Sequence, residues 1–399
     1  MREVFQTFLR LGVTSFGGPI AHFGYFRREL VERRGWLTEG AYAQVIAFCS
    51  VLPGPTSSQV GMIAGLMRAG PGGAFAAWLG FTAPSAILMA LAAVALDTLE
   101  ASSHGATPAW LAGLLAGLTA AAAAVIAQAV LGMARTQCPD AETRTIAVGA
   151  AILALALAAA ANLQWVPIAV GAVVGALFLR GRSALDVAPL PITIPKRVSF
   201  TCGAAFVAIV LASIALARTS PLASFVTTIV RAGTLVFGGG HVVLPLLQSV
   251  VANGLMPARD FYAGYGAVQA MPGPVSTFVT FLGMANLSPL HGVPGAIVAT
   301  TCIFLPSFLL VFALLPVWSA LRSLPAMGGA LRGANAGVVG LLGAILYSPI
   351  LTSLSAFPAR IAIALVAFAL ITIWKLPPWV VVVLAAALGS LAAVAGAAA

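Results

Sequence analysis

Long apolar runs fill most of the chain, and its few polar residues fall between them. A transmembrane helix needs about 20 mostly apolar residues. Runs near that length lie at about 73–96, 109–133, 145–161, 163–179 and 199–217, and again at about 293–316, 334–352, 359–374 and 378–397. Each predicts a spanning helix. Four other stretches are interrupted. Residues 4–16 carry one charge, Arg10, and end at Phe16-Gly17-Gly18-Pro19; the return segment turns basic at Arg27, Arg28, Arg33 and Arg34. Residues 41–52 break at Leu52-Pro53-Gly54-Pro55 and resume to Met67. Further on, 222–237 breaks at Phe237-Gly238-Gly239-Gly240 and returns to about 253, while 261–271 breaks at Met271-Pro272-Gly273-Pro274 and resumes over 275–287. Two prolines around a glycine cannot continue a helix, because proline lacks the donor and clashes with the preceding turn. Each stretch therefore reads as two half-helices meeting at a break. In lipid, an open break leaves backbone groups unsatisfied at several kcal/mol each, so it must lie inside protein or against a wet cavity. The breaks predict a site.

The pattern occurs twice. Arg10-Leu11-Gly12 and Phe16-Gly17-Gly18 recur as Arg231-Ala232-Gly233 and Phe237-Gly238-Gly239, at an offset of 221. The Pro-Gly-Pro runs align at 219, and Gly73-Ala74 with Pro84-Ser85 recur as Gly295-Ala296 with Pro306-Ser307 at 222. Ordered anchors of rare residue types with a nearly constant offset indicate duplication. The expected domains are an N-terminal repeat over 1–180, a basic, proline-rich cytoplasmic linker over 181–198, and a C-terminal repeat over 199–399 that begins with a connecting span.

Composition sharpens the class. Of 399 residues, 61% are hydrophobic and 8% charged, with a mean hydropathy of +1.05. A soluble domain carries about 25% charged residues, so the fold class is an all-α polytopic membrane protein with two inverted-topology repeats and broken, re-entrant helices. The net charge of +10 does not require a nucleic-acid partner, because the basic residues lie mostly in loops. If both hairpins of the first half return to their own side, 15 of the 20 Lys and Arg face one side and three the other, with Arg10 and Arg231 inside half-helices. The positive-inside rule makes the first side cytoplasmic. Five spans then precede the second half, which starts on the opposite face. Making 4–20 and 41–67 full spans instead puts four arginines in the first outside loop. The four cysteines are isolated, so neither a disulfide framework nor a metal site is expected, and no cofactor is implied. No cleavable signal peptide is read at the N-terminus.

The candidate chemistry is anion binding between the repeats. Arg10 and Arg231 each precede a glycine by seven residues, nearly two helical turns, and so share its face. Intramembrane arginine is costly, and its fork matches an oxyanion. New half-helices start after the breaks, and their free N–H groups favour anions. The expected binding set is Arg10, Ser15, Gly17 and Gly18, then Pro53, Gly54, Pro55, Ser57 and Ser58. Its second-half counterparts are Arg231, Gly238, Gly239, His241, Pro272, Gly273, Pro274, Ser276 and Thr277. Simpler roles compete: Arg10 could snorkel, the glycines could pack helices, the hydroxyls could cap them, and His22 and His241 could be structural. Glu29 sits among arginines and is expected to pair at the surface. No carboxylate lies deep in a span, which favours an anion over a cation. A lipid-modifying membrane enzyme would need a nucleophile–base pair or metal ligands, and four scattered histidines supply neither.

These residues carry a family resemblance. Arg10-Leu11-Gly12, Ser15-Phe16-Gly17-Gly18-Pro19, Gly24-Tyr25-Phe26-Arg27, Gly35-Trp36-Leu37 and Leu52-Pro53-Gly54-Pro55-Thr56-Ser57-Ser58-Gln59 resemble the chromate ion transporter family. In the second half, Phe237-Gly238-Gly239-Gly240-His241-Val242-Val243-Leu244-Pro245, Pro272-Gly273-Pro274, Ile303-Phe304-Leu305-Pro306-Ser307-Phe308 and Gly333-Ala334-Asn335-Ala336 resemble its partner domain. The segment 97–220 resembles the family in little but hydropathy. The resemblance implies a long-chain, two-domain member that exports chromate across the bacterial inner membrane and confers chromate resistance, with sulfate as the related oxyanion. Uptake of sulfate or another oxyanion is the alternative. The expected partners are the oxyanion and the lipid bilayer, with a homodimer left open.

Overall fold

The structure, a computed structural model, describes the chain apart from residues 103–106, 158–162, 164, 180–191, 193, 218, 237–242, 319–324, 355–356 and 397–399. The linker's 181–191 and the expected site residues Gly238, Gly239 and His241 thus lie outside the described residues. Among the described residues every regular element is a helix. Helix α1 (Arg2–Thr14) and α2 (Gly18–Phe26), which continues through a wider turn over Arg27–Arg33, form the first hairpin. The second joins α3 (Glu39–Val51) to α4 (Thr56–Ser102). Non-helical Ala69 and Gly70 divide α4 into a short arm and a long one. Helices α5 (Ala109–Gln137), α6 (Ala141–Ala156), α7 (Val166–Phe178) and α8 (Lys196–Ala215) follow.

The second half restarts with α9 (Pro221–Leu235) and the short return helices α10 (Val243–Leu247) and α11 (Ser249–Ala252). Then come α12 (Ala258–Val268), the second Pro-Gly-Pro, and α13 (Phe278–Ala285). Helices α14 (Gly292–Leu314), α15 (Pro325–Ile345), α16 (Pro358–Thr372) and α17 (Pro378–Val394) complete the chain. Five helical segments, Thr56–Ser102, Ala109–Gln137, Lys196–Ala215, Gly292–Val317 and Ala326–Ser348, are long and apolar enough to cross a bilayer. The protein is a multi-pass membrane protein.

Helix length alone does not separate spans from half-helices: α7, expected to span, has 13 residues like α1, and α6, α16 and α17 have 16, 15 and 17. At 1.5 Å per residue the 13 residues of α1 reach about 20 Å, short of a hydrocarbon core of about 30 Å. Ion pairs show where the hairpin ends lie. Glu3, at the start of α1, pairs with Arg34 beyond α2 and with Arg68 at the end of the short arm of α4. Arg27 pairs with Glu39 at the start of α3. Both hairpins therefore begin and end on one face. In the second half, Asn253 Nδ2 donates to Ser224 Oγ at 2.9 Å, and the Leu287 N–H donates to the Leu255 carbonyl at 2.8 Å. These bonds again bring hairpin ends together. At the far end of α4, Glu100 pairs with Arg259.

Close helix packing runs through small residues, as expected where lipid offers no hydrophobic drive for association. A Cβ on Gly12 would meet the Gly80 and Phe81 carbonyls at 2.8 Å, so α1 lies directly on the long arm of α4. Gly233 of α9 packs in the same way on Ile303 of α14. Helices α7 and α15 meet through Gly171, Gly175 and Gly333, and α5 meets α17 through Gly113, Gly117 and Gly389.

Three expectations need correction. Helix α15 starts before residue 334, because Arg332 is held by Asp140 and need not end the helix. The segment expected at 275–287 opens with a tight 3-10 turn over Val275–Thr277 before α13 begins. Glu29 pairs with Arg33 and Arg34 as expected, but Glu29 itself is 8% exposed while the Arg33 side chain stays 57% exposed, so only the acidic partner is covered.

Candidate anion site

The breaks meet in the interior. Leu52 ends α3 in an extended conformation, and Gly54 then adopts φ 122, which essentially only glycine tolerates. Its N–H donates to the Val236 carbonyl at 2.6 Å, at the end of α9. The second Pro-Gly-Pro makes the reciprocal bond. Gly273, at φ 89, donates to the carbonyl of Ser15 at 2.8 Å, at the end of α1. A carbonyl at a helix C-terminus has no partner within its helix. Each hairpin break thus satisfies the other half's helix end. Val236 follows Ser15 by 221 residues and Gly273 follows Gly54 by 219, the offsets read from the sequence.

Side chains reinforce both contacts. Thr277 Oγ1 donates to the Pro274 carbonyl at 2.8 Å, so the Ser85 hydroxyl, 2.6 Å away, donates to Thr277. Across the crossing, Gln59 Nε2 donates to the Pro53 carbonyl at 2.7 Å and to Ser307 Oγ at 3.3 Å. Ser85 and Ser307 stand 222 residues apart, the offset between the Pro84-Ser85 and Pro306-Ser307 motifs. A Cβ at Gly54 would overlap Ser307 Oγ, and one at Gly273 would lie 3.1 Å from Ser85 Cβ.

Other expected residues fall around this crossing. Ser57 and Ser58 are buried in the first turn of α4, and Ser276 and Thr277 in the 3-10 turn. Ser15 and Ser58 keep buried hydroxyls without a hydrogen-bond partner. Pro55, Pro272 and Pro274 are buried and Pro53 half-buried. His22 is fully buried against the Phe26 and Phe81 rings. Arg10 is exposed on α1. Arg231 is half-buried, and its Nε donates to the Thr227 carbonyl of its own helix at 3.3 Å.

Beside the crossing lies a cavity of about 440 Å³. Gly17, Gly18 and Gly273 line it, with Gln128 and Arg135 of α5, Gln269 after α12, Thr372 of α16, and Lys375. Arg10 and Arg231 are not among its lining residues. Sequence reading missed the last five. Arg135 and Lys375 look like ordinary loop charges, and nothing in the primary structure joins α5, α12 and the α16–α17 turn. A usable signal was present in Gln128 and Gln269, amides within otherwise apolar runs where polar groups are costly.

Comparison with known proteins bears on this arrangement. The chromate transporter family matches over residues 2–178 and 223–390. The chain belongs to the chromate transporter family. The match includes 97–178, so the resemblance extends further into the middle of the chain than its motifs indicate. A probable chromate transport protein of Synechococcus elongatus is 27% identical over 98% of this chain and 95% of its own length. Chromate transport proteins of Pseudomonas aeruginosa and Cupriavidus metallidurans are 28% and 27% identical over 86% of this chain, covering 79% and 80% of their lengths. No solved structure matches this member of the family.

Proposed function

We propose that the protein exports chromate from the cytoplasm across the bacterial inner membrane, through two inverted-topology repeats whose re-entrant hairpins cross at mid-depth. The reciprocal bonds Gly54 to Val236 and Gly273 to Ser15 carry this reading. They give two half-membrane elements one shared contact, as expected when inverted repeats enclose a site formed by discontinuous helices. The chromate transport proteins among the relatives support the cargo. The anion is bound where the half-helices begin, by their free N–H groups and by Ser57, Ser58 and Ser276, while the Thr277 hydroxyl stays committed to the Pro274 carbonyl and Arg10 and Arg231 supply positive potential along α1 and α9.

Electrostatics favours export. Moving one charge through 100 mV is worth about 2.3 kcal/mol, so an inside-negative potential of that size drives a dianion outward by about 4.6 kcal/mol. Export needs no coupling ion, whereas concentrative uptake does. The test is chromate accumulation in intact cells with and without the protein. Lower accumulation and higher chromate tolerance in producing cells support export. Higher accumulation, or sulfate uptake with no effect on chromate, refutes it.

A further inference from the structure

The cavity beside the crossing holds residues that the crossing itself does not use. We propose that Arg135, Lys375 and Gln269, with the N-terminus of α2, form an oxyanion loading site that holds a hydrated tetrahedral dianion before it enters the crossing. The proposal rests on the transport reading and adds to it a site on the cytoplasmic side.

Charge is the first observation. Arg135 and Lys375 are exposed, no carboxylate lines the cavity, and neither cation is paired among the described residues. Arg27, Arg33, Arg34, Arg68 and Arg332, assigned to the same face, each meet a carboxylate, whereas Arg135 and Lys375 meet none among the described residues and share one cavity. Two uncompensated positive charges at one cavity match a dianion.

A buried donor is the second observation, independent of the first. Gln269 is 7% exposed and lines the cavity. Its carboxamide faces the Tyr265 hydroxyl, and its Nε2 makes no hydrogen bond. A buried donor without a partner is costly unless a ligand supplies one. Helix α2 adds further donors: it starts at Gly18 after left-handed Gly17, with no side chain capping its end, and both glycines line the cavity.

The backbone at Lys375 is the third observation. It is the only non-glycine residue with positive φ (54°) among the described residues. The Leu376 N–H donates to the Leu370 carbonyl at 3.0 Å and the Ile373 N–H to the Ala369 carbonyl at 2.8 Å, so α16 ends in a tight cap whose left-handed position favours glycine. A lysine there sacrifices backbone comfort for a charge at the cavity mouth, as strained residues at functional sites do. With water occupying about 30 Å³ per molecule, the volume holds an ion together with several waters. Such a site selects by charge, and later dehydration at the crossing selects by shape.

The experiment uses the full-length protein, wild type and the variants Lys375→Gly, Lys375→Arg and Gln269→Leu, with chromate as the probe. Binding is measured by equilibrium dialysis in detergent, thermal unfolding is followed in parallel, and flux is measured in vesicles. Lys375→Gly relieves the left-handed residue, so it should unfold no earlier than wild type yet bind chromate at least tenfold more weakly. Its flux KM should rise at least tenfold with the maximal rate kept. Lys375→Arg should restore binding to within about threefold, and Gln269→Leu should weaken it. Chromate binding by Lys375→Gly within twofold of wild type, or an unchanged KM, overturns the loading site while leaving transport intact. Binding that is lost in the variants while wild-type vesicles carry no chromate supports the site and refutes the transport reading.

Discussion

Replacing Gly54 by alanine tests the crossing at its tightest point. Gly54 sits at φ 122, and the new Cβ would overlap Ser307 Oγ. A side chain in that backbone region costs about 1–3 kcal/mol. Forcing a methyl into a filled interior costs about 1–3 kcal/mol more. The sum, about 2–6 kcal/mol, lowers the folded-to-unfolded ratio by tenfold or more, since each 1.4 kcal/mol is a factor of ten. If the loop shifts to escape, the bond from the Gly54 N–H to Val236 weakens and costs about 1 kcal/mol instead. The assay is unfolding of purified protein in detergent, comparing Gly54→Ala, Ser307→Gly and the double variant. The new Cβ would also lie 2.6 Å from Gln59 Nε2, so Ser307→Gly removes one of two obstructions, and the double variant should recover part of the packing share of about 1–3 kcal/mol and keep the backbone share. Gly54→Ala within about 0.5 kcal/mol of wild type would refute the geometry. Strict additivity of the two changes would refute the Gly54–Ser307 contact.

Other consequences can be measured in the same preparations. Burial raises the Glu29 carboxyl's pKa, but hydrogen bonds from Arg34 and Arg33 together outweigh it and hold the group below the usual carboxylate range. A lowered folded pKa stabilises the fold above the ordinary value and loses that contribution as pH falls through the folded one. The stability gap between wild type and Glu29→Gln, measured by unfolding from neutral to acid pH, should therefore shrink as pH falls below the ordinary carboxylate range and close once the folded carboxyl protonates. Thr277→Val leaves the Ser85 hydroxyl without its acceptor and should cost about 1–3 kcal/mol in thermal unfolding, while Thr277→Ser should cost less than half as much. Gly12→Ala places a methyl against the Gly80 and Phe81 carbonyls, so it should lower folded yield in membranes, whereas Gly24→Ala, with open space around it, should not.

The hairpins were legible because their breaks use residues that cannot do otherwise. Pro53, Gly54 and Pro55 end one helix and permit the left-handed turn before the next, and the same holds for Pro272, Gly273 and Pro274. Which glycine N–H meets which helix end was not legible, although both bonded pairs fall at the offsets of the recurring motifs. Helix ends fixed by tertiary pairing were less legible, as at Arg332, whose charge suggested a loop until Asp140 accounted for it. Least legible was the cavity. Gln128, Gln269 and Lys375 lie on three separate elements, and only packing brings them to one space. Arg135 and Lys375 read as topological signals because loop charge and cavity charge look alike along a sequence.

The central claim is a potential-driven outward path for an oxyanion through the crossing. Chromate flux into everted membrane vesicles tests it most directly, with an interior-positive potential imposed or collapsed. The account predicts that wild-type vesicles accumulate chromate under that potential, that collapse abolishes the gradient, and that Arg10→Ala with Arg231→Ala at equal abundance lowers the rate. Accumulation of chromate only in right-side-out vesicles, or a rate indifferent to the potential, would contradict it.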